Sequence, residues 1–248
     1  MTLGRLRWQA LGLLVASTLL VSACGSSDAP DAADASVTNH SGAATTLSPA
    51  GADAGCEEAP AVPSAGMTTE PLEPPPTEGV AGTWTGVIET NCGPIEVELY
   101  ADKAPVTVAS FEHLATAGYW QDSPCHRLTT QGIFVLQCGD PTGTGRGAPG
   151  YGFGIENAPE DGKYPPGTLA MARAQDPNSN GGQFFIVYRD TELPVEGGGY
   201  SIFGRVTGGM DIVDRVAEQG VDGGGADGIP AAPISILSVE VTQEKASE

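Results

Sequence analysis

Along residues 95–100 (IEVELY) apolar and polar positions alternate, with Ile95, Val97 and Leu99 on one side and Glu96 and Glu98 on the other. Period two marks a strand with one buried face. The same pattern in 83–90 (TWTGVIET) predicts a preceding strand, with Asn91, Cys92 and Gly93 as the turn. The period then lengthens. In 104–120 (APVTVASFEHLATAGYW), Val108, Phe111, Leu114 and Ala115 share one helical face, Pro105 suits the first turn and Gly118 stops the helix. Apolar runs at 132–139, 168–174, 183–188, 201–206 and 234–241 read as further strands. Residues 210–218 read as a second helix, with Ile212, Val213 and Val216 on one side. Long Gly-, Pro- and Asn-containing loops separate these pieces. The pattern predicts a mainly β domain, a closed barrel or sandwich, with two helices free to plug its ends.

Upstream of residue 80 the periodicity is absent. Arg5 and Arg7 precede an apolar run at 11–23, long enough for a signal-peptide core and short for a membrane span. Ser22 and Ala23 directly before Cys24 resemble a bacterial lipobox. On that reading residues 1–23 are a lipoprotein signal peptide and the acylated Cys24 anchors the chain to the outer face of the cytoplasmic membrane; ordinary secretion is the alternative. Residues 24–80 are rich in Ala and Pro, acidic, and without Lys or Arg from 25 to 79. Such a stretch has little to bury and is expected as a disordered tether, stiffened at 71–76 (PLEPPP). The folded domain is then 81–245.

Charge narrows the function further. With 31 acidic residues against 11 basic ones the net charge is −20, which opposes binding to nucleic acid. An apolar fraction of 40% is ample for one core.

Residues 124–140 (PCHRLTTQGIFVLQCGD) concentrate the candidate chemistry. Cys125 and His126 are neighbours, so on a strand they face opposite sides and cannot share an ion or form a nucleophile–base pair. The other histidines, His40 and His113, add no second ligand spacing, and no metal site is expected. Residues 145–150 (GRGAPG) fit a dinucleotide-loop spacing, but Pro149 sits inside it and no helix follows. No G-x-S-x-G occurs. Setting Cys24 aside, Cys56, Cys92, Cys125 and Cys138 allow three pairings. Cys125–Cys138 with Cys56–Cys92 is preferred, because 125 and 138 fall on adjacent expected strands. What remains is Arg127, an arginine beside apolar strand positions, with Gln137 and Gln183 as polar partners and Phe134, Phe184 and Phe185 as an aromatic wall.

From about residue 85 to 241 the chain resembles the cyclophilin-type peptidyl-prolyl cis-trans isomerases. The segments that carry the resemblance are VELYADKAPVTVASFEHLA, CHRLTTQGIFVLQCGDPTGTGRGAPGYGF, GTLAMARAQDPNSNGGQFFI and IFGRVTGGMDIVDRV, in the family's order. The resemblance implies a closed eight-stranded antiparallel barrel capped by two helices. It also implies a cofactor-free monomer acting on X-Pro bonds of unfolded or partly folded chains. Arg127 becomes the catalytic arginine and Gln137 the substrate-orienting glutamine. Phe134, Val135 and Phe185 become walls of the proline pocket, and Gln183 a second polar contact. Ala172, Arg173 and Ala174 line the neighbouring groove, with Leu193 and Tyr200 at the rim. Between Arg127 and Phe134 the chain is two residues longer than the common spacing, so a bulge is expected there. Two rival readings are a proline-binding or chaperone module of the same fold with little turnover, and a thiol-redox protein, for which C-x-x-C is missing.

Overall fold

A computed structural model describes residues 54–62 and 71–244. The apolar run at 11–23, Cys24, His40, most of the stretch read as a tether, and residues 245–248 lie outside the described residues. Among the described residues no helix is long and apolar enough to cross a membrane.

The chain folds as β1 (Thr83–Thr90), β2 (Gly93–Tyr100), α1 (Pro105–Thr116), β3 (Ser123–Pro124), β4 (Arg127–Thr129) and β5 (Val135–Cys138). Next come β6 (Lys163–Tyr164), β7 (Thr168–Met171), β8 (Phe184–Val187), β9 (Thr191–Glu192) and β10 (Ile202–Gly208). α2 (Met210–Gln219), β11 (Asp227–Gly228) and β12 (Ser235–Gln243) complete it. The strands of 83–100 and both helices are those the periodicity predicts. The two-residue strands β3, β6, β9 and β11 are too short to carry a period.

Ten strands form one antiparallel sheet, in the order β11-β4-β5-β8-β7-β10-β2-β1-β12-β3, and β6 pairs with β9 separately. This differs from the closed eight-stranded barrel expected from the resemblance: the sheet curls but stays open between β11 and β3. The break has a local cause. Ser123 and Pro124 pair with β12, Arg127 and Leu128 pair with β5, and Cys125 and His126 between them belong to neither strand.

Side-chain parity divides the sheet into two apolar layers. Leu136, Cys138, Leu169, Met171, Phe184 and Ile186 point into the main core beside Phe111, Trp120 and Phe203. Their neighbours Val135, Ala170, Phe185 and Val187 point outward and join Tyr164 and Leu193 in a second, smaller cluster. β8 is therefore buried on both faces, which is why its sequence is an unbroken apolar run. The short β6–β9 ribbon supplies Tyr164, and Leu193 just after β9 completes the cover; Tyr164 is fixed there by its hydroxyl, which donates to Tyr200 O (3.0 Å) and accepts from Tyr200 N (2.9 Å).

α1 begins at Ala104, which has no side chain to cap it. Glu156 performs the capping from a distant loop: it accepts from Val106 N (3.1 Å), Thr107 N (2.8 Å) and the Thr107 hydroxyl (2.7 Å). A carboxylate there satisfies orphan amides and complements the helix dipole.

Part of the stretch expected to be a disordered tether is docked. Cys56 is disulfide-bonded to Cys92. Glu57 N donates to Asn91 O (2.8 Å), and Asn91 Nδ2 donates back to Glu57 O (2.8 Å). Arg215 Nε holds Ala54 O (3.0 Å), with Ala54 wholly buried. Further on, Leu72 N donates to Pro149 O (2.8 Å). Ala54, Cys56 and Leu72 are small or apolar islands in an acidic stretch, and burying them with a covalent link outweighs the repulsion that composition alone suggests.

Candidate active site

The site lies on the outward face of the sheet. Antiparallel register puts Arg127 opposite Gln137 and Gln137 opposite Phe185, a row across β4, β5 and β8. Alternation along β5 and β8 adds Val135 and Val187 beside that row. Behind the row, on the inward face, Cys125 and Cys138 form a disulfide. Their burial leaves them outside the cleft and fastens the chain before β4 to the end of β5.

The polar groups form one relay. Arg127 Nη1 donates to Gln137 Oε1 (3.2 Å), Gln137 Nε2 donates to Gln183 Oε1 (3.0 Å), and Gln183 Nε2 donates to Gly147 O (3.0 Å). On its other edge Arg127 donates through Nε and Nη2 to Asp227 Oδ1 (2.8 Å) and Oδ2 (2.7 Å). Those hydrogen bonds push the Arg127 pKa further up against the opposing effect of burial, and hold the Asp227 carboxyl below the usual range. The guanidinium is thus charged and oriented at every working pH.

Beside this relay is a cleft of about 580 Å³, lined by Ile133, Val135, Phe185, Leu193 and Tyr200 with Arg127, Gln137, Ala172 and Arg173 at its polar edge. Its size suits a small apolar group and a few convergent polar ones. Phe185 and Tyr200 meet edge to face, ring centres 5.9 Å apart. A second groove of about 720 Å³ adjoins it, sharing Gln137, Ala172 and Arg173 and adding Ala174 and Gln183. Arg173 stands between the two and ties their rims together: Nε donates to Gly199 O (2.8 Å), Nη1 to Ala174 O (2.9 Å) and Nη2 to Gly197 O (3.1 Å), with the guanidinium 4.9 Å over the Tyr200 ring.

Two expected wall residues are elsewhere: Phe184 alternates with Phe185 on β8 and faces the main core, and Phe134 is displaced from the cleft. Phe134 packs edge to face on Tyr188 (5.9 Å) under the Arg189 guanidinium, and its place at the cleft is taken by Ile133. The cause is the long 130–134 turn. Gly132 adopts φ 74° and Thr129 Oγ1 accepts from Val135 N (3.1 Å), so β5 is entered with residues 133 and 135, not 134, facing out. Val135 keeps its expected position. Sequence reasoning also missed His126, Asp227 and Ile229, which line the cleft. Parity from Val135 points to Ile133. Nothing local points to Asp227, which lies 100 residues from its partner.

The far wall, residues 143–147, is held by Asp140. This fully buried carboxylate accepts from Thr142 N (2.8 Å), the Thr142 hydroxyl (2.7 Å), the Thr144 hydroxyl (3.3 Å), Arg146 N (3.0 Å) and Gly147 N (3.0 Å). Position 147 must be glycine, because a Cβ there would overlap the Asp140 carboxylate. Burial pushes the Asp140 pKa up, and the hydrogen bonds from Thr142 and Gly147 together outweigh it, so the net direction is down. Its stabilisation is complete above the ordinary carboxylate range and is lost as pH falls through the depressed pKa. Asp140→Ala is expected to cost on the order of 3 kcal/mol by urea unfolding at pH 7, with the difference from wild type shrinking in acid. An equal cost at pH 7 and at pH 2 would show that the charged form contributes nothing.

The comparisons with known proteins decide the family. The family described as "Cyclophilin type peptidyl-prolyl cis-trans isomerase/CLD" matches residues 86–241, well over half of the chain. The chain belongs to the cyclophilin family. Relatives include a probable peptidyl-prolyl cis-trans isomerase B of Mycobacterium tuberculosis, 46% identical over 60% of this chain and 52% of that protein. The Mycobacterium leprae counterpart is 41% identical over 72% of this chain and 65% of that protein. The chain thus spans between half and two-thirds of these mycobacterial cyclophilins. A crystal structure of a Cryptosporidium parvum cyclophilin-type isomerase is similar with a TM-score of 0.55 and 32% identity, covering 66% of this chain and 100% of that one. A structure of the same C. parvum protein in the presence of the dipeptide Ala-Pro is similar too, with a TM-score of 0.54 and 33% identity over 64% of this chain and 99% of that one.

Proposed function

We propose that this cyclophilin is a peptidyl-prolyl cis-trans isomerase acting on X-Pro bonds of exported, unfolded or partly folded proteins. The observation that carries the reading is the row Arg127–Gln137–Phe185 across three strands, which sets a fixed guanidinium beside a cleft with apolar walls, roomy enough for a prolyl ring and its neighbours. Amide resonance imposes a rotation barrier of roughly 18–20 kcal/mol. Rotation frees the lone pair on the prolyl nitrogen, and an arginine aimed at that nitrogen stabilises the twisted state more than either planar one. The cleft formed by Ile133, Val135, Phe185 and Leu193 grips the ring, while Gln137 steadies the moving carbonyl side. No covalent intermediate, proton transfer or cofactor is required. The C. parvum structure determined in the presence of the dipeptide Ala-Pro supports a proline-containing peptide as the occupant. The deciding measurement is cis-to-trans relaxation of an X-Pro peptide; a rate equal to the uncatalysed one would sink the isomerase reading.

The place of action is proposed from the sequence. Arg5, Arg7, the apolar run at 11–23 and the Ser22-Ala23-Cys24 junction support export, lipidation at Cys24 and membrane attachment as a monomer held on a leash. Cys24→Ser is expected to move the protein from the membrane fraction to the soluble one and to abolish fatty-acid labelling. Unchanged fractionation and labelling would remove the lipid anchor from the proposal.

A further inference from the structure

The grip of Asp227 on Arg127 is not explained by stability. The two side chains are 37% and 54% exposed, a setting in which an ion pair adds little to folding. Its geometry is nevertheless specific. Asp227 takes Nε–H and one N–H of Nη2 in a two-pronged contact, and Gln137 takes one N–H of Nη1. A guanidinium has five N–H donors. After these three bonds each terminal nitrogen keeps one, so the long side of the group is held while its end remains available.

Asp227 is itself held by the sheet. It lies on β11, which pairs with β4 through Asp227 opposite Thr129 and Gly228 opposite Leu128. Just before it, Ala226 O accepts from Thr130 N (2.8 Å). The carboxylate and the arginine therefore ride on hydrogen-bonded neighbours of one sheet, and the next two residues, Gly228 and Ile229, help line the same cleft.

We propose that Asp227 is a positioning residue for the isomerase reaction: it fixes the Nε–Nη2 edge of Arg127, so that the free N–H groups at the end of the guanidinium address the prolyl nitrogen. This inference rests on the isomerase reading. With Gln137 alone, the guanidinium has one contact and can swing about its last side-chain torsions. With Asp227 as well, it has two contacts on different edges, and the orientation needed in the twisted state is present beforehand.

The test compares kcat and KM for an X-Pro peptide in wild type, Asp227→Asn, Asp227→Glu and Arg127→Ala. Asp227→Asn keeps the size of the side chain but loses the charge and the second prong. It is expected to lower kcat roughly tenfold and leave KM within about twofold, because orientation matters most in the transition state. Asp227→Glu restores the two-pronged carboxylate and is expected to recover a large part of kcat. A wild-type kcat in Asp227→Asn, or a loss that lies wholly in KM, would overturn the clamp. A second readout needs no variant: in 15N spectra of the wild type the Arg127 Nε–H is expected to exchange slowly with water, and fast exchange would also overturn it. The two proposals fail differently. A wild type with no activity removes the isomerase reading and the clamp together, whereas an active wild type, an inactive Arg127→Ala and an unaffected Asp227→Asn remove the clamp alone.

Discussion

Replacing Arg127 with alanine is expected to lower kcat/KM for an X-Pro peptide by roughly 10²–10³-fold, the usual cost of removing one preorganised donor from a site of developing charge. The fold should survive, because Arg127 sits at the edge of the cleft and its ion pair with Asp227 is half exposed. Arg127→Lys should lose most of the activity as well. Lysine keeps the charge but has no planar fork to meet Asp227 and Gln137 together. The relaxation assay reads both variants, with circular dichroism as the check on folding. An alanine variant as fast as wild type would leave this cyclophilin with proline binding as its function, and the arginine as a surface charge.

Trp120→Ala is expected to have the largest effect on stability. The indole is 2% exposed, packs tilted on Phe111 (4.7 Å between ring centres) and edge to face with Phe184 (5.7 Å), and donates from Nε1 to Gly182 O (2.9 Å). Truncation leaves a cavity at the junction of α1 and the sheet and a buried carbonyl without its donor. A loss of ~3–5 kcal/mol follows, equivalent to a fall in Tm of roughly 6–20 °C. The effect should also reach the cleft. Gly182 directly precedes Gln183, whose amide links Gln137 to the 143–147 wall, so weaker peptide binding is expected to accompany the lower Tm. Scanning calorimetry and the same peptide assay check the two halves. A Tm within about 2 °C of wild type would show that the surrounding rings close over the gap.

How far the sequence alone carries depends on how local the cause of each feature is. Alternation in residues 95–100 and the helical face of Val108, Phe111 and Leu114 are set within a turn or two, and the structure has both as read. Arg127 and Gln137 were legible because both sit in strands with a clear apolar partner face. The facing of Phe134 is not legible because it depends on how the 130–134 turn spends its extra residues, and Ile133 and Phe134 are both large and apolar, so the pattern does not choose between them. The Cys56–Cys92 bridge was legible from cysteine pairing and is present, whereas the docking of Ala54 and Leu72 was hidden by the acidic composition around them, since no window average registers a single buried alanine. Asp227 was hidden for another reason. One acid in a Gly-rich loop has no pattern, and its value comes from a pairing with β4 that only the folded chain creates.

The link between Cys56 and Cys92 spans 36 residues of chain and ends in the turn between β1 and β2. It acts as a mechanical shunt. A pull arriving from upstream first meets Ala54, held by Arg215 of α2, and then crosses the sulfur bridge to the β1–β2 turn at Cys92. The intervening stretch, with its prolines and the contact of Leu72 beside the second groove, lies outside that covalent short cut. The covalent path from the N-terminal end thus reaches the sheet at the β1–β2 turn, away from the face that carries Arg127, Gln137 and Phe185.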